Sequence, residues 1–178
     1  MSERKQLRFD ESRPDIAERI KNIKQNRLSV SLLLDGLHDI QNIGGLFRTA
    51  DAARIKEIVL YKCPVDLDKK KFHNTARSTQ QYVAFQILEN EQALLEYAQD
   101  NTLVCLEHTS DSTLLSNTKL DKDITLVLGN EKTGTSQLLL DLSSQAVHLP
   151  MLGIQTSLNV CTAGSIAIFD LLSRSELV

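Results

Sequence analysis

Short apolar runs alternate with amphipathic segments along most of this chain. The apolar runs predict strands over residues 28–35, 57–61, 82–88, 102–107, 124–129 and 146–150. Apolar positions at helical spacing predict helices over residues 42–55, 90–100, 136–143 and 158–173, with a short basic helix around 67–79. Strands that alternate with helices predict an α/β fold, with a mostly parallel sheet covered by helices on both faces.

The first residues have a different character from the rest. Residues 1–27 are rich in charge, and Ile16, Ile20 and Ile23 recur at helical spacing. We therefore expect a charged helical N-terminal extension over 1–27, followed by one domain over 28–178. A chain of 178 residues is long enough for a single core of this kind.

Composition excludes several classes of protein. The sequence is 42% hydrophobic and 24% charged, which is ordinary for a globular domain. No run approaches the roughly 20 apolar residues of a membrane span, and the start "MSERKQLRFD" lacks the features of a signal peptide. Three widely separated cysteines do not make a disulfide framework. We expect a cytoplasmic protein with no membrane contact.

The net charge of −3 hides an uneven distribution. Residues 1–27 carry eight Lys or Arg against five Asp or Glu, and residues 42–81 carry eight against four. Residues 82–178 carry four against twelve. The two basic regions are either solvated surface or a surface that binds the phosphates of a nucleic acid.

Two common kinds of site are excluded by their spacing. "GNEKTGTS" has Thr135 where a phosphate-binding loop requires lysine, so a nucleoside triphosphate site is not predicted. No metal site is predicted either, because no histidine has a cysteine or carboxylate at metal-ligand spacing; the histidines are at 38, 73, 108 and 148 and are interpreted as surface or structural residues.

The remaining candidates are turns at the carboxyl ends of predicted strands, where parallel sheets bind ligands. In "NIGGLFRTA", Asn42 could cap a helix that carries Arg48. The pair Gly44–Gly45 lowers helix propensity by about 1 kcal/mol per residue, so close packing or a close backbone approach must compensate. One interpretation is a tight helix–helix contact with Arg48 as a surface cation; the other is a ligand site.

Two later turns also allow two interpretations each. In "LGNEKTG", Glu131 follows a buried strand and belongs either to a plain βα turn or to a site. In "LPMLGIQTSLNV", Ser157 and Asn159 precede the most apolar helix of the chain. Ser157 is either an N-cap of that helix or a ligand contact.

These three segments, in this order, resemble the motifs of the SpoU/TrmH family. Residues 42–50 resemble N-x-G-x-x-x-R-T-A, residues 128–134 resemble L-G-x-E-x-x-G, and residues 149–160 resemble I-P-M-x-G-x-x-x-S-L-N-V. The resemblance covers roughly residues 28–173. It implies an S-adenosylmethionine-dependent methyltransferase of the SPOUT class that modifies a ribose 2′-hydroxyl of tRNA or rRNA. It also implies a C-terminal trefoil knot and a homodimer.

Site residues follow from the same resemblance. Arg48 matches the catalytic arginine, which in this family reaches the partner subunit's cofactor site, and the other characteristic polar positions are Asn42, Glu131, Ser157 and Asn159. The implied cofactor contacts are Gly129, Leu149, Met151 and Leu158, with Glu107 by a looser match. The residues expected to bind RNA are Lys69, Lys70, Lys71 and Arg77.

The chemistry of arginine limits the role of Arg48. A guanidinium keeps its proton above about pH 12, so it is a poor general base. We expect it instead to bind a phosphate bidentately and to favour the developing alkoxide. Two alternatives stay open: a non-catalytic RNA-binding or assembly factor with the same fold, and a SPOUT methyltransferase that modifies a base.

Overall fold

The computed structural model describes residues 15–67, 70–120 and 123–177. Its strands are Val30–Asp35 (β1), Glu57–Tyr61 (β2), Ala84–Leu88 (β3), Leu103–Leu106 (β4), Thr113–Leu114 (β5), Ile124–Leu128 (β6) and Gln145–His148 (β7). Its helices are Ile16–Gln25 (α1), Ile40–Ala52 (α2), Lys70–Ala76 (α3), Glu91–Asp100 (α4), Gln137–Leu142 (α5) and Val160–Ser173 (α6).

All seven strands form one parallel sheet in the order β3-β2-β1-β6-β4-β7-β5. β1 lies between β2 and β6, and each of its six residues is buried. That burial explains why "VSLLLD" is a nearly continuous apolar run rather than an alternating one. The predicted parallel α/β architecture is confirmed.

The sheet separates two apolar cores. On one face, Leu32, Leu34 and Leu126 pack with residues of α2, α3 and α6. On the other, Leu33 and Val127 pack with residues of α4 and α5. Alternate residues of a strand point to opposite faces, so both faces of the sheet are covered by helices.

Three local predictions differ from the structure. The N-cap of α2 is Asp39, whose carboxylate accepts a hydrogen bond from the Gln41 backbone N–H, and Asn42 lies inside the helix. The N-cap of α6 is Asn159 rather than Ser157. The polar loop after β4 contains a 3₁₀ turn over Leu115–Asn117, which agrees with the helical turn expected there, and the short edge strand β5, which the sequence does not predict because its order depends on pairing with β7.

The remaining expectations about the fold have different outcomes. The predicted N-terminal helix is present as α1, and the part of the extension before residue 15 lies outside the described residues. Within the described ranges, no helix is both long and apolar enough to cross a membrane. The trefoil knot and the domain boundary at residue 28 stay predictions.

Candidate active site

A cavity of about 580 Å³ opens at the carboxyl ends of β4, β6 and β7. Its walls include residues 106–108, 128–132, 148–149 and 156–160. This is the edge where parallel sheets bind ligands. All five predicted cofactor contacts line the cavity: Glu107, Gly129, Leu149, Met151 and Leu158.

Glycine is required where the chain leaves β6. A Cβ atom on Gly129 would lie 2.2 Å from the Thr135 backbone nitrogen, which cannot move aside as a flexible side chain could. Gly134 has φ +71°, in the left-handed region that favours glycine. The turn from residue 129 to 134 therefore folds back tightly on itself and leaves its backbone facing the cavity.

Glu107 fixes this turn to the end of β4. One carboxylate oxygen accepts a hydrogen bond from the Thr135 backbone N–H at 3.0 Å, and the other accepts one from the His108 backbone N–H at 3.0 Å. Buried Asp35 anchors the same segment from β1 by accepting from the Ser136 backbone N–H at 2.7 Å. Glu107 thus shapes the cavity wall as well as lining it.

Three polar side chains from the three motifs form one hydrogen-bonded chain. Asn159 Nδ2 donates to Asn42 Oδ1 at 3.0 Å, and Asn42 Nδ2 donates to Glu131 Oε1 at 2.9 Å. Asn159 Oδ1 accepts from the backbone N–H groups of residues 161 and 162, which caps α6. The cap orients the Asn159 amide, and each amide then orients the next. We call these three residues the amide relay.

The adjacent glycines allow α2 to pack closely on two helices. A Cβ on Gly44 would lie 2.7 Å from Thr75 of α3, and one on Gly45 would lie 2.5 Å from the Cys161 sulfur of α6. Thr49 and Ser165 also hydrogen-bond between α2 and α6 at 2.8 Å. Close packing, one of the two interpretations of the glycine pair, is confirmed; the same helix also carries the amide relay.

Arg48 is exposed on α2. It is not one of the described residues that line the cavity of its own chain. Arg48 lies one helical turn after Gly45, which packs against the Cys161 sulfur. Burial raises the pKa of that thiol, and a hydrogen bond with Ser165 and the charge of Arg48 lower it. Arg48 therefore lies on the side of α2 that faces the start of α6. Ser157 lies on the exposed segment before α6 and lines the cavity.

The cavity wall combines two kinds of chemistry. The carboxylates of Glu107 and Glu131 outnumber the ammonium group of Lys132 and favour a cationic ligand. Apolar side chains contribute surface for a planar or aliphatic group: Leu106, Leu128, Leu149, Met151 and Leu158. A cavity of this size, with polar and apolar surface in similar amounts, can hold a small molecule that has both polar and apolar parts. The residues present fit a cofactor with both a cationic centre and an aromatic ring.

The predicted RNA contacts lie apart from the cavity wall. Lys70 and Lys71 are exposed at the start of α3, and Arg77 is exposed just after its end. Lys69 lies outside the described residues. Since α3 packs against α2, these cations belong to the same face of the sheet as Arg48.

Sequence reasoning missed two residues of the cavity wall. His108 and His148 both line the cavity, although they were interpreted as surface or structural histidines. His148 ends β7, and His108 follows β4 after one intervening residue. Their places at the carboxyl ends of strands were the available signal.

Comparison with known proteins is consistent with this geometry. The sequence profile of the SpoU rRNA Methylase family matches residues 29–169. A Staphylococcus aureus (strain MSSA476) protein assigned to the TrmH family of tRNA/rRNA methyltransferases is 25% identical over 162 residues, which cover 90% of this chain and 65% of that protein. The 23S rRNA (guanosine-2′-O-)-methyltransferase RlmB of Blochmanniella floridana is 29% identical over 148 residues, 83% of this chain and 58% of its own length.

A solved structure shares the fold. The SpoU methyltransferase AviRb of Streptomyces viridochromogenes, crystallised with S-adenosylmethionine, superposes with a TM-score of 0.76 at 18% identity, over 84% of this chain and 58% of that one. The chain thus spans somewhat less than two thirds of these relatives. Because the family profile covers most of the described sequence, this chain belongs to the SpoU rRNA methylase family.

Proposed function

We propose that this chain transfers a methyl group from S-adenosylmethionine to a ribose 2′-hydroxyl of tRNA or rRNA. The observation that supports this most directly is the amide relay, which joins one residue from each family motif beside the cavity. A structural protein has no need to join polar residues from three distant segments beside an open cavity of about 580 Å³.

The cavity wall suits this cofactor. Glu107 and Glu131 would lie near its positive charges, and Gly129, Leu149 and Leu158 would contact it through backbone and apolar atoms. When bound, S-adenosylmethionine supplies an electrophilic methyl group on sulfur. AviRb, whose fold this chain shares, was crystallised with that molecule.

The chain must then position the ribose and favour loss of its proton. Asn159 has a second amide hydrogen that its bond to Asn42 does not use, and Ser157 lies two residues away. We propose that these two groups hydrogen-bond to the substrate ribose and that Glu131 orients the Asn42 amide. Arg48 keeps its proton and binds the neighbouring phosphate, so its charge favours the developing alkoxide.

We further propose that the chain acts as a homodimer. Ile166 and Phe169, one turn apart on α6, are 46% and 48% exposed, and Leu152 and Ile154 in the preceding segment are 97% and 98% exposed. Apolar surface of this extent is typical of an interface. Arg48 is exposed on the side of α2 that faces the start of α6, and we propose that docking along α6 brings its guanidinium to the partner's cavity.

The remaining parts of the proposal concern RNA and location. Lys70, Lys71 and Arg77 would bind phosphates, with Lys69 and the basic extension over 1–27 as further candidates, and binding would weaken as salt concentration rises. Cellular RNA is the substrate, so we place the protein in the cytoplasm.

One experiment separates the candidate functions. The protein is incubated with methyl-labelled S-adenosylmethionine and total RNA, and the RNA is digested to nucleosides. Label in a 2′-O-methyl nucleoside supports the proposal. Label in a base indicates a base methyltransferase, and no label indicates a non-catalytic RNA-binding factor; either result overturns the proposal.

A mixing experiment tests the shared site. Arg48→Ala chains and Asn159→Ala chains should each be much less active than wild type if both residues are needed at one site. Mixed dimers would contain one site with both residues intact, so partial activity should return after subunit exchange. If exchange is verified and activity stays absent, Arg48 does not act across the dimer.

A further inference from the structure

Two histidines meet at one corner of the cavity. Their rings pack edge to face, with centroids 5.0 Å apart. His148 ends β7 and His108 follows β4, and these two strands are neighbours in the sheet. Both histidines line the cavity, as do Leu106 and Leu149, which end β4 and follow β7.

The hydrogen bonds of Ser112 determine where the proton of His148 lies. Ser112 Oγ donates to the Thr109 carbonyl at 3.0 Å and accepts from the Thr109 backbone N–H at 3.1 Å. The same oxygen lies 3.0 Å from Nδ1 of His148. A hydroxyl has one hydrogen, so all three contacts are made at once only if His148 Nδ1 carries a proton and donates to Ser112.

This arrangement leaves the other ring nitrogen as an acceptor. In a neutral imidazole only one nitrogen carries hydrogen, so Nε2 of His148 has a free lone pair. Within the described ranges the ring makes no hydrogen bond besides the one to Ser112. The Glu107 carboxylate nearby is already bonded to two backbone N–H groups. The corner therefore offers a fixed acceptor to a ligand that brings a donor.

We propose that His148, held in its Nδ1–H form by Ser112, is a specificity-determining residue that accepts a hydrogen bond from the adenosine part of the cofactor. This inference rests on the proposed function. The adenosine donors are the amino group of the purine and the ribose hydroxyls, and the ring-lined corner suits the planar purine better than a charged amino-acid tail. His108 packs against His148 and keeps its ring in place.

The protonation of His148 is tested directly. Long-range ¹H–¹⁵N NMR of the free wild-type protein distinguishes a ring protonated at Nδ1 from one protonated at Nε2, and His148→Gln identifies the signal. We expect the proton on Nδ1 in the wild type and a mixture of forms in Ser112→Ala. A wild-type ring protonated at Nε2, alone or together with Nδ1, overturns the proposal.

The role in binding is tested by calorimetry with S-adenosylhomocysteine, which requires no turnover. An asparagine amide reaches the position of Nδ1, and a glutamine amide reaches that of Nε2. We expect His148→Asn to weaken binding about tenfold, as loss of one hydrogen bond can, and His148→Gln to stay within about threefold of wild type. Tm values close to that of the wild type for both variants would confirm that neither is misfolded.

The outcomes also separate this inference from the proposed function. If the wild type binds S-adenosylhomocysteine and His148→Asn binds it equally well, His148 is not an adenosine contact, while the proposed function stands. If the wild type does not bind it, both fail. The inosine counterpart, which lacks the amino group, identifies the donor: wild type and His148→Asn bind it alike if the amino group is bound, and differ about tenfold if a hydroxyl is.

Discussion

The helices on the two faces of the sheet are held in different ways. On one face, α2 approaches α3 and α6 so closely that Gly44 and Gly45 have no room for a Cβ. On the other, α4 and α5 pack through ordinary side chains such as Leu94 and Leu139. The close-packed face carries Asn42, Arg48 and the Asn159 cap, whereas no predicted site residue lies on α4 or α5. Tight helix contacts occur here where polar side chains must meet in fixed orientation.

The largest expected effect comes from Arg48 on the close-packed face. Arg48→Lys keeps the charge but loses the two-pronged guanidinium, so we expect single-turnover methyl transfer to fall by about a hundredfold. Arg54→Lys, the same substitution on the segment after α2, should leave the rate unchanged. Because Arg48 is exposed, its variant should unfold at the wild-type temperature. Near-wild-type turnover would argue against phosphate binding by Arg48.

The packing difference itself is tested at Gly45. An added methyl group 2.5 Å from the Cys161 sulfur should make Gly45→Ala less stable by about 1–3 kcal/mol, even though alanine favours helix. Removing the sulfur removes the clash, so Gly45→Ala combined with Cys161→Ala should be about as stable as Cys161→Ala alone. Urea unfolding gives all four stabilities. If the double variant loses as much stability as the two single variants together, the sulfur is not the group that the added methyl would meet.

Asn159 both caps α6 and joins the relay, and two variants separate these roles. Asn159→Ala loses both, and we expect at least about tenfold slower methyl transfer together with about 1 kcal/mol of lost stability. Aspartate is an equally good cap but has no amide hydrogen to donate to Asn42. Asn159→Asp should therefore keep the cap, lose less stability than Asn159→Ala, and lose the activity. If it keeps both, the contribution of Asn159 is capping alone.

Substitutions on the opposite face, under α4 and α5, should change the stability of the protein and leave its activity unchanged. Tyr97 of α4 makes a 2.9 Å hydrogen bond to Thr125 on β6. Tyr97→Phe should lower the free energy of unfolding by about 1 kcal/mol, measured with urea, and leave the methyl transfer rate unchanged. A large loss of activity at unchanged cofactor affinity would mean that this face also shapes the site.

The smallest effect is confined to alkaline solution. Burial in the core under α4 and α5 raises the pKa of Cys105 from its ordinary 9.0 to about 11. The folded state therefore holds this proton more tightly than the unfolded chain, and stability contributed by the thiol is lost as pH rises from about 9 to 11. The free energies of unfolding of the wild type and of Cys105→Ser, measured across that pH range, should approach each other at high pH. A constant difference would contradict the shift.

Much of the architecture could be predicted because it depends on local pattern. The run "VSLLLD" predicts a buried strand without any knowledge of which strands lie beside it. The alternation of strands and helices predicts the parallel sheet. β5 could not be predicted in this way. Its two residues are ordered by pairing with β7, which is distant in sequence.

The same division applies to the site. The sequence by itself determined which polar residues stand at the ends of strands, because strand ends and glycine turns are local features. Only the tertiary structure decided that Asp39 and Asn159 are the caps and that Asn42 bridges Glu131 and Asn159. It also decided that Ser112 orients His148. A hydrogen bond requires two groups within about 3 Å, and contacts between distant segments exist only after the chain has folded.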